Sequence, residues 1–158
     1  MARSRFLILQ TLLGVVVFAF CACQQVGEVE KALLGKKTVK VSSTEPWIDT
    51  GFDLKAAQTV QVKAEGAVFI NEDTVSTPNG VDDPKVNAFT KLLWRTKNVM
   101  YDAAHGALIG KIGEEGKPFL VGEESTFTAE SPGRLYLGVN DKDRKNNQGA
   151  YIVKIVLQ

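Results

Sequence analysis

Side-chain oxygens are concentrated in one short segment near the C-terminus of the 158-residue chain. Six amide or carboxylate side chains lie within nine positions: Asn140, Asp141, Asp143, Asn146, Asn147 and Gln148. Calcium takes about six to eight oxygen ligands from carboxylates, amides and backbone carbonyls. The same residue types also fill ordinary turns, because Asn and Asp tolerate left-handed backbone. The composition of this segment therefore leaves a calcium site and a turn as alternatives.

No residue pattern typical of a catalytic centre accompanies this segment. The sequence has no Gly-x-Ser-x-Gly elbow, no phosphate-binding loop and no zinc-ligand spacing. The single histidine, His105, stands at the start of a predicted buried strand, where a packed or hydrogen-bonded side chain is the usual role. We therefore expect that the protein is not an enzyme.

The elements that must position the oxygen-rich segment are predicted to be strands. It lies between two strongly β-patterned runs, residues 134–139 and 150–157. Upstream, alternating or apolar runs predict further strands at 38–41, 47–54, 59–64, 68–70, 107–112, 119–121 and 125–129. Residues 71–87 form a long irregular stretch, and residues 89–100 are ambiguous. Short strands with turn signals at regular spacing predict an all-β sandwich.

Three stretches together resemble the PA-IL-like family of calcium-dependent galactose-binding lectins. They are residues 37–66, residues 102–113 (Asp-Ala-Ala-His-Gly-Ala-Leu-Ile-Gly-Lys-Ile-Gly) and residues 135–155. Their order and approximate spacing agree with the family over nearly all of the chain after the N-terminal apolar run. The resemblance implies a jelly-roll β-sandwich, of the galactose-binding-domain-like kind. It also implies one calcium ion at the edge of the sandwich, with its coordination completed by sugar hydroxyls.

The resemblance also implies roles for individual residues. Asn140 and Asp141 match the family's Asn-Asp pair, in which the Asp is the carboxylate ligand. Asn146 and Asn147 match an Asn-Asn pair, of which one residue ligates the metal and the other bridges metal and sugar. Ile70 or Asn71 corresponds to a residue whose backbone carbonyl ligates the ion. The expected metal ligands are thus Asp141, Asn146, Asn147 and Ile70, and the expected sugar-binding residues include Asn140, Asp141, Asn146 and Asn147.

Two departures from the family pattern bear on specificity. The loop between Asp141 and Asn146 is shorter by about two residues than in the galactose-binding member, and that member's threonine ligand has no clear counterpart. Asp143 could substitute for it. The His and Gln that read galactose are also missing, since this chain has Leu-Trp-Arg-Thr-Lys at 93–97. Trp94 is either a core residue or an aromatic platform for a sugar face. Galactose is therefore one candidate ligand, and the glycan stays open.

The N-terminus has the layout of a secretory signal peptide. Arg3 and Arg5 precede an apolar run from Phe6 to Phe20, which Cys21-Ala22-Cys23 closes. The apolar core is short for a permanent span, which needs about 20 residues. A retained anchor helix is the alternative. The predicted organisation is a signal peptide over 1–22, a tether over 23–36 and a lectin-like domain over 37–158.

The two cysteines both stand at the end of this apolar run, so they provide no disulfide framework for the domain. The segment 20–23 resembles a bacterial lipobox, with Ala22 before Cys23 as the acylated residue. Cys21 is the other candidate, and an ordinary signal peptide cut near Ala22 is a third interpretation. Gln24 after Cys23 favours the outer membrane over the inner one. We therefore expect an exported protein of the bacterial cell envelope, lipid-anchored to the outer membrane.

Charge excludes one class of partner. Loss of Arg3 and Arg5 with the signal peptide takes the formal net charge from +1 to −1, which gives no electrostatic case for nucleic acid. The sequence predicts a calcium-dependent carbohydrate-binding envelope lipoprotein, and a homo-oligomer would suit a lectin because multivalency strengthens binding. The alternative is a structural or protein-binding envelope lipoprotein that has the jelly-roll fold without a sugar site.

Overall fold

Alternation of apolar and polar residues builds the strands. In the segment Thr59–Glu65, Val60 and Val62 are buried while Gln61 and Lys63 are exposed, as a strand with one face on the core requires. In the computed structural model, residues 35–158 are described, and Lys37–Gln158 form one compact unit. The predicted signal peptide, nearly all of the predicted tether and the acylation site Cys23 lie outside the described residues.

The described residues form ten strands and one helix. The strands are β1 Lys36–Ser42, β2 Ile48–Leu54, β3 Thr59–Glu65, β4 Val68–Phe69, β5 Val75–Ser76, β6 Leu108–Ile112, β7 Phe119–Leu120, β8 Glu124–Thr128, β9 Gly133–Val139 and β10 Gln148–Leu157; the helix is α1 Ala88–Lys97. No helix in this part of the chain has the length and apolarity needed to cross a membrane.

Two sheets enclose one hydrophobic core. The first has the order β5-β4-β10-β3-β8, with β1 also paired to β10, and the second has the order β2-β9-β6-β7. Strand β10 pairs antiparallel with β4 through Gln148 and Gly149 and with β3 through residues 152–157. Side chains from both sheets, such as Val153 and Leu137, belong to the same buried cluster. The predicted all-β sandwich is confirmed.

The stretch that was ambiguous in sequence, residues 89–100, is mostly helix α1. The side chain of Asn87 caps its N-terminus by accepting a hydrogen bond from the Thr90 N–H at 2.8 Å. None of the helical residues is fully buried, and only Thr90 and Trp94 are half-buried. The helix therefore rests on the sandwich along a narrow line and contributes little to the core.

The irregular stretch before α1 contains the two-residue strand β5, which pairs with β4. The backbone at Gly106 passes close to this hairpin with a φ of +78°. A Cβ at position 106 would collide with Ser76 and Ile70, so glycine is needed both for the conformation and for the space. This close approach brings His105, just before β6, to the end of β4.

Candidate functional site

Four separate parts of the chain meet at one recess of about 40 Å³. The residues just after β4, helix α1, the segment before β6 and the loop between β9 and β10 each contribute to it. Its lining consists of Ile70, Asn71, Trp94, Lys97, His105, Asp141, Asp143 and Asn146. The structure therefore brings four of the five predicted metal ligands, together with the predicted platform Trp94, to the same place.

The Asp141 carboxylate is the most deeply buried acidic group of the recess, with 2% of the residue exposed. Its Oδ1 accepts a hydrogen bond from the Asp143 N–H at 2.9 Å, and its Oδ2 accepts one from Asn147 Nδ2 at 3.1 Å. A buried carboxylate is costly unless it is paired or bound to a cation. These two neutral donors provide only part of that compensation, so the recess favours a positively charged group near Asp141.

Asn147, the fifth predicted ligand, stands behind Asp141 and does not line the recess. Its Nδ2 also donates to the backbone carbonyl of Ser43 at 3.1 Å, which fixes the orientation of the amide. Its Oδ1 is buried and has no hydrogen-bond partner. An unsatisfied buried acceptor costs about 1–3 kcal/mol. Arg144 Nε, in the same loop, is also buried without a hydrogen-bond partner.

The donor set of the recess fits calcium. Two carboxylates, Asp141 and Asp143, and the amide of Asn146 lie beside the backbone at Ile70, which is the mixture of hard oxygen ligands that calcium takes. No group of three or more His, Cys, Asp or Glu side chains able to hold a metal is found among residues 35–158, so a cation here would depend on amide and backbone oxygens. Lys97 is the opposing feature, because a residue with a positive charge also lines the recess.

Asn140 has a different role from the one expected, and its assignment as a sugar-binding residue is corrected. The side chain is completely buried. Its Oδ1 accepts from the Met100 N–H at 2.7 Å, and its Nδ2 faces the carbonyls of Met100, Ala103 and Ala104 at 3.0–3.2 Å. Asn140 thus holds the segment between α1 and β6 in place, and its complete burial keeps the side chain from contact with a ligand.

A stacked pair of rings forms one wall of the recess. The rings of Trp94 and His105 have centroids 4.9 Å apart and are inclined by 25°. The amide of Asn98 donates through Nδ2 to the Ala103 carbonyl at 2.9 Å, so its Oδ1 faces His105 Nδ1 at 2.7 Å. Nδ1 therefore carries the proton of the neutral ring. Trp94 also packs against the core, which is one of the two roles that the sequence left open. Its role as a platform for a sugar stays a prediction.

Burial lowers the pKa of His105 from its ordinary value of 6.5. The negative charge of Asp141 opposes this effect, the positive charge of Lys97 adds to it, and a hydrogen bond to the Asn140 backbone opposes it. Neither His105 nor Lys97 was predicted to lie at the site. Helical spacing could have indicated Lys97, because residues three positions apart lie on the same side of a helix and Lys97 follows Trp94 by three positions.

A larger groove adjoins the recess. It has a volume of about 690 Å³ and shares Asn71, Trp94 and Asn146 with the recess. Its remaining lining residues are Glu72, Asp73, Thr74, Lys85, Val86 and Thr90. The recess has space for an ion or a water molecule, whereas the groove has the size of a small-molecule site, about 300–1,000 Å³.

Comparison with known proteins supports the fold. A solved structure described as the N-terminal domain of EclA, a PllA-like lectin, matches with a TM-score of 0.61 and 19% sequence identity. The match covers 77% of this chain and 95% of that one. No protein-family model matches the chain, and no curated protein matches it either. At this identity the likeness establishes a shared all-β sandwich, the architecture of a lectin domain.

Proposed function

We propose that the β-sandwich is a non-catalytic, lectin-like domain that binds carbohydrate with the help of calcium. The observation that carries the proposal is the recess: a buried carboxylate, a second carboxylate and an amide lie together at the edge of a ligand-sized groove. The recess is too small for a sugar ring, but a sugar in the groove could reach it with hydroxyl groups. The lectin domain of similar fold adds support by analogy.

Each residue of the recess has a role in this proposal. Asp141, Asp143, Asn146 and the carbonyl of Ile70 would hold calcium, and Asn147 would orient Asp141 through its hydrogen bond to Oδ2. Bound calcium supplies coordination positions for neighbouring sugar hydroxyls, which compete with water better than neutral hydrogen bonds do, each worth about 0.5–1.5 kcal/mol net. Trp94 would contact the apolar face of the sugar. A galactose-type sugar is one candidate among hexoses.

A structural or protein-binding role without calcium is the second candidate, and Lys97 favours it. Lys97 lines the same recess as Asp141, and its flexible side chain could bring the ammonium to the carboxylate in place of calcium. Lysine is a compact point charge on a flexible stem, so it can fill this position or leave it. The two candidates differ in one measurable property, the response of the folded protein to calcium.

Melting temperatures with calcium and with a chelator test the proposal. A ligand at about 100 times its Kd stabilises the native state by about 2.7 kcal/mol, which raises the Tm by about 5 °C or more. We expect this rise for the wild-type protein and for Glu130→Gln, which removes an exposed carboxylate in the β8–β9 turn. We expect no rise for Asp141→Asn. A further rise with particular simple sugars would identify the ligand class.

No calcium response in the wild-type protein would reject the calcium mechanism and favour the second candidate. A calcium response that Asp141→Asn retains would place the ion elsewhere in the molecule.

We also propose that the protein is exported and anchored to the bacterial envelope by a lipid on Cys23. The support is the sequence of the N-terminal segment, in which a basic patch, an apolar run and a lipobox-like Phe-Cys-Ala-Cys follow one another. The anchor would hold the domain at a membrane surface and leave its groove open to glycans.

A further inference from the structure

Helix α1 presents an apolar face to solvent. Phe89, Leu92 and Leu93 are 68%, 50% and 50% exposed, although large apolar side chains normally mark the buried side of a helix. Their spacing of three and four positions places them on one face. Thr90 and Trp94 lie on the other side of the helix, towards the sandwich. The apolar face is therefore not the one that packs against the domain.

Basic residues border this apolar face on both sides. Helical spacing places Lys91 and Arg95 along one edge and Lys97 along the other, and the helix contains no acidic residue. Lys142 adds a further cation at the C-terminal end, where its backbone N–H donates to the Lys97 carbonyl at 2.8 Å. The nearby acid Asp102, which lines a recess with Lys91 and Arg95, offsets one of these charges.

Tyr101 extends the same surface. It is 51% exposed, and the Arg95 guanidinium lies 5.7 Å from the centroid of its ring. An aromatic ring with a polar hydroxyl suits a boundary between water and lipid. The face thus combines aliphatic side chains, an amphipathic ring and a border of cations within one surface of the fold.

We propose that this face of α1 binds an anionic lipid surface, with the helix lying in the headgroup region. A helix with aliphatic and aromatic residues on one face and Lys or Arg beside them has the composition of an interfacial helix. Cations near an anionic bilayer gain attraction, while Phe89, Leu92 and Leu93 enter the boundary of the acyl chains. A second copy of the chain is a poorer occupant, because symmetric pairing would bring the same cations together.

This inference does not depend on the proposed sugar site. The lipid-binding face lies on the side of α1 opposite to Trp94, so the recess and the lipid surface can be occupied together. Loss of calcium binding would leave the lipid-binding face unchanged, and loss of lipid binding would leave the calcium response unchanged.

Quenching of tryptophan fluorescence by brominated lipids tests the proposal. The full chain is used, because its apolar N-terminus would attach every variant to the vesicles equally. A tryptophan is introduced at an exposed position of the face, Leu92→Trp, or at a similarly exposed position on β7, Leu120→Trp. Fluorescence of the wild type, with Trp47 and Trp94, is subtracted. We expect the tryptophan at position 92 to be quenched in vesicles of brominated phosphatidylglycerol at least about threefold more than in brominated phosphatidylcholine. The tryptophan at position 120 should be unquenched in both.

The charge requirement is tested by adding Lys91→Gln and Arg95→Gln to Leu92→Trp, which should remove the selective quenching. Phe89→Trp repeats the test if the first variant does not fold. Absence of quenching of the tryptophans at positions 89 and 92 would overturn the proposal. Equal quenching of these tryptophans in the two lipids would overturn it as well. A blue shift that depends on protein concentration without lipid would overturn it in favour of a second copy.

Discussion

Neighbouring residues of the oxygen-rich segment have opposite roles. Asn140 is completely buried and holds the segment after α1, whereas Asp141 lines the recess. The pair lies in a bend after β9, and two residues that look alike in sequence divide between packing and lining the recess. Asn146 and Asn147 divide in the same way, the first lining the recess and the second supporting it through Asp141.

His105 predicts a pH dependence of stability. Its pKa is lowered, chiefly by burial, so the folded protein favours the neutral ring more than the unfolded chain does. The stabilisation is complete above pH 6.5, the ordinary pKa of the side chain, and is lost as the pH falls through the lower pKa of the folded state. We expect the Tm of the wild type to fall between about pH 7 and pH 5 more steeply than that of His105→Gln.

Glutamine is a suitable replacement because its amide can still bond to Asn98 Oδ1 but does not titrate in this range. Equal slopes for the two proteins would show that His105 does not contribute to the pH dependence.

The elements around the recess are held by buried polar contacts rather than by long strands. The Tyr151 hydroxyl of β10 lies 2.7 Å from the Thr77 carbonyl and 2.9 Å from the Gly106 carbonyl, and burial raises the pKa of this phenol. The hydroxyl therefore lies within hydrogen-bond distance of two carbonyls, one just after β5 and one shortly before β6. These contacts join the irregular stretch and the residue after His105 to the first sheet.

Tyr151→Phe should destabilise the protein by about 1–2 kcal/mol, because the buried Gly106 carbonyl loses its donor while the ring still fills the core. The Thr77 carbonyl keeps the hydrogen bond that the Gly80 N–H donates to it. Tyr136→Phe is the matched control. Tyr136 is half-buried, and its ring, which faces the Lys111 ammonium 5.3 Å from the centroid, is kept by the substitution. Urea unfolding of both variants checks the difference. Equal stabilities would show that the Tyr151 hydroxyl makes no net contribution.

Helix α1 combines three functions at the scale of an element. It supplies Trp94 and Lys97 to the recess, Thr90 to the groove, and Phe89, Leu92 and Leu93 to the exposed apolar face. The sequence left this segment ambiguous because its apolar residues do not all face the core. A prediction that assumes all apolar residues of a helix lie on its buried face is wrong when some of them face solvent.

At the scale of the whole molecule, the proposed ligand groove and the proposed lipid-binding face lie on opposite sides of helix α1. A membrane anchor on Cys23 would complete this arrangement by keeping the domain at a surface where both contacts are available. Diacylation suits such a role, since each buried methylene contributes about 0.8 kcal/mol and two chains are needed for stable attachment.

Metabolic labelling in a bacterial host tests the anchor. We expect radiolabelled palmitate to be incorporated into the wild type and into Cys21→Ser, and we expect Cys23→Ser to remain unlabelled because the acceptor thiol is missing. Label that disappears with Cys21→Ser instead would identify Cys21 as the acceptor. A wild-type protein that is cleaved but unlabelled would contradict lipidation and indicate an ordinary signal peptide.

The sequence by itself determined the sandwich, because alternation such as that of Val60 and Val62 specifies which face of a strand is buried. It also singled out Asp141, Asp143 and Asn146, since oxygen-rich side chains between two strands are visible locally. Only the tertiary structure decided that Asn140 packs, that His105 and Lys97 line the recess, and that α1 faces solvent with its apolar side. These outcomes depend on contacts between residues far apart in the chain, such as Tyr151 with Thr77, and local periodicity carries no information about such contacts.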